Sequence, residues 1–417
     1  MTTATPKRFR STEGPWLILI LGVLIGFGPL SIDMYLPAFP AIGESLHASA
    51  GEVERTLAAF FAGLAVGQLF AGPVSDRFGR TKPLYAGLLL YVLGSIGCAT
   101  APSADVLAAC RFVQALGGSV GMVTTRAVVR DLHSGAAAAR MMSRLVLVMG
   151  LAPILAPLLG GWVLRAAGWR AIFGSHAVLG LIALGAVFVI LPETAPPRSG
   201  AAPARPFQAM WGLAKAPDFL GHALAAALAQ AGMFAYIGGS PFVFITLHGV
   251  KPEHFGWFFG ANAAGLVAVS QLNHWLMARS SPERVLKQAV RIAALAGLAL
   301  VTVASTGLGG LWGIALSLFV FVSTLGAITP NATALAMEQH AKQAGIASAV
   351  LGALQFMLAA GASATVSATH DGTARPMALG VAIAALLALG ALGLAKRAPA
   401  HGTTGAEGGI DTPEREA

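Results

Sequence analysis

The sequence is dominated by long apolar segments that carry no charged residue and are separated by short polar turns. Residues 56–75 and 83–104, for example, contain no Asp, Glu, Lys or Arg. About 20 apolar residues at ~1.5 Å rise are enough to cross a hydrocarbon layer about 30 Å thick. With 56% hydrophobic residues, 11% charged residues and a mean hydropathy of +0.71, the chain is too apolar for an ordinary soluble protein. It is therefore predicted to be an all-α membrane protein.

The apolar segments predict twelve transmembrane helices in two halves of six. A Pro-rich, charged stretch at 192–216 cannot span a membrane and is predicted to be a cytoplasmic linker. It joins an N-terminal half at 15–191 to a C-terminal half at 217–397. A basic cytoplasmic tail at 1–14 and a disordered, Gly-rich tail at 398–417 flank the halves. Such a division predicts a site at the interface of two related halves. The predicted spans are 16–39, 52–73, 83–101, 105–126, 144–165, 171–191, 219–250, 255–278, two within 292–337, 344–368 and 375–395.

The net charge of +9 follows the predicted topology and does not indicate nucleic-acid binding. Basic residues concentrate in alternate loops, which is the pattern of the positive-inside rule, so both termini are expected in the cytoplasm. The basic side carries Lys7, Arg8, Arg10, Arg77, Arg80, Lys82, Arg126, Arg130, Arg140, Arg144, Arg198, Arg205, Lys215, Arg279, Arg284, Lys287, Arg291, Lys342, Lys396 and Arg397. The opposite side carries Arg55, Arg165, Arg170, Lys251 and Arg375.

A short charged turn lies between the second and third predicted helices. Gly72, Asp76, Arg77, Gly79 and Arg80 match the pattern G-x-x-x-D-R-x-G-R-[KR], with Thr81-Lys82 in place of the usual adjacent base. This turn resembles the loop between helices 2 and 3 of the major facilitator superfamily. The resemblance implies that superfamily's fold and a conformational gate at the cytoplasmic face.

In that gate we expect the Asp76 carboxylate and the Arg80 guanidinium to form a cytoplasmic latch. Asp131, at the inner end of helix 4, could join them, and the resemblance places Asp76 opposite the start of helix 11 near Gly345. An anion is favoured at a helix N-terminus. Breaking the cluster would then bias the protein between its inward-facing and outward-facing states. The alternative is that these charges serve only to set topology.

Asp33 is an ionisable residue within the first predicted helix. Such a residue is costly in a membrane unless it faces a partner or an aqueous cavity, so it is a functional candidate. Arg111 in helix 4 lies at a similar depth, roughly 10 Å from the outer face, and is the expected partner. A carboxyl between burial and a guanidinium could bind a proton in one conformation and release it in another. The alternative is a static pair that fixes helices 1 and 4.

Several motifs resemble those of one subfamily within the superfamily. Residues 31–40, SIDMYLPAFP, and residues 232–244 are similar to segments of the Bcr/CflA drug:proton antiporters, which include bicyclomycin-resistance and chloramphenicol exporters. Residues 111–115, RFVQA, resemble the helix-4 motif R-x-x-Q-G, whose arginine the family links to proton transfer. Residues 130–132, RDL, match the end of that helix. The resemblance implies a proton-coupled antiporter in which Asp33 and Arg111 act on the proton.

Helix 5 carries a stripe of small residues interrupted by prolines. It resembles the antiporter motif G-x-x-x-G-P-x-x-G-G, with alanine at two of the glycine positions. The small residues recur every four positions and suit close helix packing, while the prolines kink the helix. The alternative is an ordinary packing face. The motif residues are Ala152, Pro153, Ala156, Pro157, Gly160 and Gly161.

Polar and aromatic residues within the spans are candidates for a substrate cavity. Some of them are expected to serve packing or interhelical hydrogen bonds instead. No further intramembrane charge stands out, which favours a neutral or weakly charged amphiphilic substrate. The candidate substrate-binding residues are Tyr35, Gln114, Phe234, Tyr236, Asn262, Gln355 and Phe356.

The combined interpretation is an antibiotic exporter driven by protons through alternating access. Its partners are expected to be an amphenicol-like or bicyclomycin-like drug, protons and lipid, without nucleic acid or cofactor, in a monomer of the bacterial inner (plasma) membrane. The alternative is a proton-coupled transporter of a natural metabolite, such as a sugar or amino-acid derivative, on the same fold. Neither a P-loop nor H-E-x-x-H occurs, and the G-x-S-x-G match at 117–121 lies in an apolar predicted helix, so an ATPase or an enzyme is not expected. Cys98 and Cys110 are expected to be packing residues.

Overall fold

The computed structural model describes residues 15–133, 135–195, 206–338, 340 and 343–395. Regular structure in these residues is helical throughout. The predicted tails at 1–14 and 398–417, and residues 196–205 of the predicted linker, lie outside the described residues. The helices of the first half are α1 (Pro15–Asp33), α2 (Phe39–Leu46), α3 (Ala50–Phe78), α4 (Thr81–Ala99), α5 (Ala104–Leu132), α6 (Gly135–Ala167) and α7 (Trp169–Ile190).

The second half follows a short helix at the end of the linker. That helix, α8 (Pro206–Leu213), packs against α13. The remaining helices are α9 (Pro217–Pro241), α10 (Pro252–Met277), α11 (Pro282–Thr306), α12 (Gly310–Glu338), α13 (Ala344–Ala368) and α14 (Arg375–Ala395).

The first predicted helix is broken where the sequence suggested a continuous span to residue 39. α1 ends at Asp33, a 3₁₀ turn follows at Leu36–Ala38, and α2 continues from Phe39. Proline has no backbone N–H, so Pro37 cannot donate to the carbonyl of Asp33 four residues earlier. The break therefore places Asp33 at a helix end inside the bundle.

Other boundaries also differ from the predicted ones. α3 continues through Pro73 to Phe78, and α5 runs to Leu132, beyond the predicted end at 126. α9 ends at Pro241 and gives way to a wide π-type turn at Phe242–Leu247, where a continuous helix to 250 was predicted. Pro241 cannot donate to the carbonyl of Ile237, and the Ser240 hydroxyl donates to that carbonyl at 3.1 Å instead.

Glycines bring the helices of the first half into backbone contact. A Cβ at Gly94 of α4 would lie 2.6 Å from the amide nitrogen of Gln114 on α5. A Cβ at Gly117 of α5 would overlap the amide nitrogen of Tyr91 on α4. Close approach of this kind lets dispersion contacts hold helices together where lipid removes the hydrophobic driving force.

The two halves meet through two helix pairs. α13 packs along α3, and α10 packs along α6, whereas the other principal contacts lie within each half. α6 also packs on α1, so it lies between the first helix of its own half and α10 of the other. α9 also touches α3, so any site between the halves is bordered by α1, α3, α6, α9, α10 and α13.

Eleven helical segments among the described residues are long and apolar enough to cross a membrane. Broken helices count once in this set, as with α1 together with α2 and α9 together with its π-type turn. In α6, Leu151–Ala167 forms a shorter apolar helix at the position of the fifth predicted span. Twelve spans stay a prediction at that segment.

Exposed tryptophans mark two levels on the outside of the bundle. We call the end that carries Arg77, Arg80 and Arg130 the basic end, and the opposite end, with Arg55 and Arg170, the Arg55 end. Tryptophan favours the boundary between lipid and water, so these indoles delimit a membrane-spanning belt. Near the basic end lie Trp16, Trp211 and Trp275, and near the Arg55 end lie Trp162, Trp257 and Trp312, all at least half exposed.

The glycine contacts predict a sharp difference between two Gly→Val variants. Gly117→Val introduces atoms into the backbone of α4 and should destabilise the protein by about 1–3 kcal/mol from overpacking. Gly185→Val on α7 is the matched control, because a Cβ there meets no atom within 4 Å. Thermal melting in detergent, followed by size-exclusion chromatography, checks this. Equal melting temperatures for the two variants would contradict the packing analysis.

Candidate functional site

A fully buried guanidinium occupies the centre of the first half. Arg111 on α5 donates to Gln114 Oε1 at 2.6 Å and to the backbone carbonyl of Ser31 at 2.8 Å. Gln114 Nε2 in turn donates to Ser95 Oγ at 2.8 Å. The Ser31 carbonyl is free to accept because α1 ends two residues later. The break in helix 1 thus creates the acceptor that anchors Arg111.

Aromatic rings enclose the rest of this guanidinium. Its Cζ lies 4.0 Å from the ring centroid of Phe60, 4.2 Å from that of Tyr35 and 5.6 Å from that of Phe173. Cation–π attraction strengthens when the cation is desolvated, as it is here. Nε of Arg111 has no hydrogen-bond partner among the described residues. The charge is therefore held by dipoles and rings, without a carboxylate.

Asp33 is enclosed but is not paired with Arg111 as the sequence suggested. Its side chain is 4% exposed, and no ion pair or hydrogen bond joins it to a described residue. Arg111 is instead occupied by Ser31, Gln114 and the aromatic rings. The prediction of a direct pair between Asp33 and Arg111 is wrong for this conformation, because the Arg111 guanidinium donates to the freed Ser31 carbonyl instead.

The carboxyl of Asp33 lies near polar groups of the second half. The 3₁₀ turn Leu36–Ala38 that follows Asp33 packs against α10 and against α9, the helix that carries the Tyr236 hydroxyl. Asn262 Nδ2 on α10 donates to that hydroxyl at 2.9 Å, and the Tyr236 ring stacks on Phe259 with centroids 5.1 Å apart. Asp33 thus sits where the halves meet, beside two of the predicted cavity residues.

One aromatic contact among the described residues crosses the interface, and a second extends it within the C-terminal half. Phe61 of α3 contacts Phe234 of α9 with centroids 4.4 Å apart, and Phe234 lies 6.0 Å from Phe356 of α13. Gln355 beside it is half-buried. Of the predicted cavity residues, Phe234, Tyr236, Asn262, Gln355 and Phe356 therefore come from the C-terminal half.

The other two predicted cavity residues lie in the Arg111 cluster. Tyr35 is fully buried, packs on the guanidinium and shares a 3.2 Å hydrogen bond with the Thr56 hydroxyl. Gln114 is also fully buried and orients Arg111. In this conformation both contact protein, and their role in substrate binding stays a prediction.

The helix-5 motif positions α6 between the two halves. A Cβ at Gly160 would overlap the carbonyl of Met34, next to Asp33, so only glycine allows this approach. On the adjacent position, a Cβ at Gly161 would lie 3.3 Å from Glu253 Cα on α10. Ala156 and Ala152 are buried along the same helix, and Pro153 and Pro157 lie inside it. The small residues are thus in contact with the chain segment that carries the candidate acid.

The charged turn forms a dense network at the basic end. Arg80 donates from Nη1 to Asp76 Oδ1 at 2.5 Å and from Nε to Asp131 Oδ2 at 2.7 Å. It also donates to Ser75 Oγ at 3.1 Å. The cluster predicted from sequence is therefore present, and Gly72 and Arg77 lie on the same final turns of α3. Among the described residues, the side chains that accept from the Arg80 guanidinium all belong to the first half.

Glu193 completes this network and was missed by sequence reasoning. Its carboxylate accepts from the backbone N–H groups of Arg80 at 2.8 Å and Thr81 at 3.1 Å, and from the Thr81 hydroxyl at 2.8 Å. Gly79, with φ +87°, curves the turn around this carboxylate. Burial alone would raise the pKa of Glu193, but the donated hydrogen bonds together lower it below the ordinary value. The acid stood in a Pro-rich stretch that gave no spacing signal.

The residue that reaches α13 at the basic end is Arg130, not Asp76. Arg130 Nη1 lies 3.4 Å from a Cβ at Gly345, and no other described atom comes within 4 Å of that position. Asp76 remains 65% exposed beside Arg80. In this conformation the Asp76 carboxylate accepts from Arg80, and the expectation that Asp76 faces the start of helix 11 stays a prediction.

An all-helical membrane bundle in two halves, with an enclosed acid at their interface, defines a polytopic transporter. The chain belongs to the Major Facilitator Superfamily, whose family profile matches residues 18–366. This is a class of transporters and not of enzymes.

Three bacterial relatives cover most of the chain. An uncharacterized MFS-type transporter, YdgK, of Bacillus subtilis is 36% identical over 87% of this chain and 90% of its own length. A bicyclomycin resistance protein homolog of Haemophilus influenzae is 35% identical over 86% and 91%. Multidrug resistance protein MdtL of Escherichia coli is 28% identical over 78% and 82%. These names agree with the Bcr/CflA resemblance of the motifs.

Solved structures share the fold. A bacterial homolog of the human lysosomal transporter Spinster, in an inward-facing and occupied conformation, superposes with a TM-score of 0.71. It is 16% identical and the match covers 93% of this chain and 98% of that one. This likeness establishes the architecture of the bundle.

The network around Arg80 predicts a strong loss of stability in Arg80→Ala. Asp131 is 11% exposed, so removing its partner leaves a buried charge uncompensated, at a cost of about 3–5 kcal/mol. The double variant Arg80→Ala/Asp131→Asn should recover much of that loss. Lys82→Ala, at an exposed neighbouring position, should be neutral. The measurement is the melting temperature of each variant in detergent. If the loss of stability in the double variant equals the sum of the losses in the two single variants, Arg80 and Asp131 are not coupled.

Glu193 predicts a pH-dependent stability difference. Because its pKa in the folded protein lies below the ordinary value, its stabilisation is present above about pH 4.3 and is lost as the pH falls through the folded value. Glu193→Gln should therefore melt earlier than the parent at pH 7, and the difference should shrink as the pH falls below about 4.3. Glu283→Gln, an exposed acid on α11, is the control. A constant difference across this range would refute the assignment.

Proposed function

We propose that this transporter exports amphenicol-like or bicyclomycin-like drugs across the bacterial plasma membrane in exchange for protons, by alternating access. The observation that carries the proposal is the enclosed, unpaired carboxyl of Asp33 at the interface of the halves. The motif resemblance and the relatives named for bicyclomycin and multidrug resistance support drug efflux.

Asp33 is suited to carry the coupling proton because its surroundings differ between conformations. Enclosed without a cation, its carboxyl is better accommodated with a proton than as a bare charge. When the halves separate on one side, water reaches the carboxyl and lowers the free-energy cost of its ionised form. The Gly160 contact on Met34 ties the position of Asp33 to α6, so movement of α6 relative to α10 would change this exposure.

Arg111 would control the ionised form of Asp33. Its guanidinium already holds the carbonyl of Ser31, two residues before the acid, and keeps one N–H without a partner. In a conformation where α1 shifts, that free donor can turn to the carboxylate. The charge of Arg111 would then favour proton release.

The substrate is proposed to bind beside Asp33 among the residues of the second half. Phe234, Phe356 and Tyr236 offer ring faces, and Asn262 offers a side-chain amide. A site of this chemistry suits a neutral amphiphile with a few hydrogen-bonding groups. Export then requires that the basic end face the cytoplasm, as the distribution of Lys and Arg predicts.

A proton-coupled transporter of a natural metabolite is the second candidate. The fold is common to carriers of many substrates, and Asp33 would serve coupling equally well for a sugar or amino-acid derivative. The aromatic contact across the interface, between Phe61 and Phe234, favours the drug. Direct competition between bicyclomycin and such metabolites in a transport assay separates the two.

Asp33→Asn should abolish pH-driven export while the protein still inserts in the membrane. The amide has the same shape but cannot carry the proton, so we expect resistance to bicyclomycin and chloramphenicol to fall to that of cells without the protein. The checks are inhibitory concentrations in an efflux-deficient strain, with and without an uncoupler, and expression measured on the same cells.

Asp105→Asn is the matched control for this experiment. Asp105 is an exposed acid, 82% accessible and paired with Arg55 at 2.7 Å, so its loss should leave resistance within about twofold of the parent. Uncoupler-sensitive export by Asp33→Asn at the parent rate would exclude Asp33 as the proton carrier. A parent protein that confers no drug resistance but transports a metabolite would favour the second candidate.

A further inference from the structure

A second buried acid lies at the Arg55 end, away from Asp33. Glu54 is on α3 and is only 1% exposed. His370, in the turn after α13, faces it from the other half, with His370 Nδ1 3.6 Å from Glu54 Oε1. This distance is too long for a hydrogen bond. Glu54 was not predicted from the sequence to be functional, because it lies only two residues after the predicted start of helix 2.

The carboxyl of Glu54 is incompletely satisfied. Its second oxygen, Oε2, is buried without a hydrogen-bond partner among the described residues. The His370 ring is held edge-on against Phe242, with centroids 4.4 Å apart, and burial lowers the pKa of His370 below its ordinary value. Neither group is therefore well placed to carry a charge in this conformation.

Tight contacts around this pair close the Arg55 end. The Ser367 hydroxyl on α13 donates to the carbonyl of Gly51 on α3 at 2.6 Å. A Cβ at Gly51 would lie 2.8 Å from the carbonyl oxygen of Ser367, so the two backbones touch. Water can reach Glu54 through this interface only if α3 and α13 separate.

Among the described residues, no charged side chain other than His370 pairs with Glu54. Arg55, the next residue, turns outward to Asp105, and Glu52 turns back to the Ser49 hydroxyl and N–H. Asp371, next to His370, bonds to Thr373. At the Arg55 end of the surrounding elements, the other titratable or charged side chains are all exposed or half-exposed, namely Glu44, His47, Glu52, Arg55, Asp105, His248, Asp371 and Arg375.

We propose that Glu54 is a second proton-binding site, one whose protonation permits the two halves to close at the Arg55 end. An ionised carboxylate enclosed with one bare oxygen costs several kcal/mol, which the carboxylic acid avoids. Closure therefore takes one proton from the water on that side onto the Glu54 carboxyl, next to His370. Opening returns the proton to the same water.

This site differs from Asp33 in what it does with its proton. Asp33 is proposed to release its proton on the far side, whereas Glu54 returns it to the side from which it came. Glu54 would therefore make closure sensitive to external pH without adding to the number of protons exchanged per drug. The inference rests on the proposed proton-coupled function only for its physiological use, because the closure itself can be measured without transport.

The test measures the distance between the halves as a function of pH. Spin labels are placed at Thr100→Cys, in the first half, and Leu308→Cys, in the second, both exposed at the Arg55 end, with Cys98 and Cys110 replaced by alanine. Asp33→Asn is included so that the proposed carrier does not titrate. Double electron–electron resonance is recorded in lipid nanodiscs from pH 5 to 9 without a gradient.

With Glu54 present, raising the pH should lower the ratio of closed to open populations. The fall should reach up to about tenfold per pH unit over the range in which Glu54 loses its proton. Glu54→Gln, which stays neutral, should remain closed with less than twofold change over the whole range. Glu54→Asp retains a titrating group and should keep the response with a displaced midpoint. Glu52→Gln is the matched control on the same helix end, because glutamine still completes the cap with Ser49. It should respond like the parent.

Each result decides the matter. A pH response in Glu54→Gln as large as in the parent, or none with Glu54 present, overturns the inference. Should Glu54→Gln fail to fold, a Glu54→Asp response identical in midpoint to the parent overturns it as well. Transport of bicyclomycin by the unlabelled parent in liposomes with an imposed pH gradient is measured separately. Its absence would refute proton coupling and leave the closure result standing.

Discussion

The structure depends on one interaction, the hydrogen bond from the buried guanidinium of Arg111 to the carbonyl of Ser31. A charge enclosed in a membrane protein needs partners, and here a broken helix supplies one. Pro37 ends α1 early, the end frees the carbonyl, and α5 provides the donor. This hydrogen bond links α1 to α5 and leaves Asp33 without a cation. The electrostatic design of the interface follows from that choice of partner.

Much of the architecture could be predicted from the sequence because lipid imposes simple rules. Apolar length gave the order of the helices, and the charged turn gave the cluster of Asp76, Arg80 and Asp131. Helix ends were harder, since Pro37 and Pro241 end helices by removing single donors while hydropathy continues unchanged. The topology of the termini stays a prediction, as no residue before Pro15 is described.

The pairing of buried charges was the part that sequence could not provide. Depth along a helix places Asp33 and Arg111 at one level, but rotation about each helix decides whether their side chains meet. Each residue rotates its side chain by about 100° around the helix axis. Glu193 and the pair of Glu54 with His370 were missed for a related reason. Both acids interact with residues far away in the sequence, and no periodic pattern links the partners. Glu193 is recognised in the structure from the donors that surround its carboxylate, and Glu54 from the lack of a donor at one oxygen.

Tryptophan placement gives the protein a built-in optical reporter. Six of the seven indoles lie on the outside of the bundle, and Trp169 alone is buried, with its ring 6.1 Å from Phe173 beside the Arg111 cluster. Aqueous or lipid-borne quenchers would therefore darken the outer indoles and spare Trp169. Its remaining emission would report on the packing of the first half without any added dye.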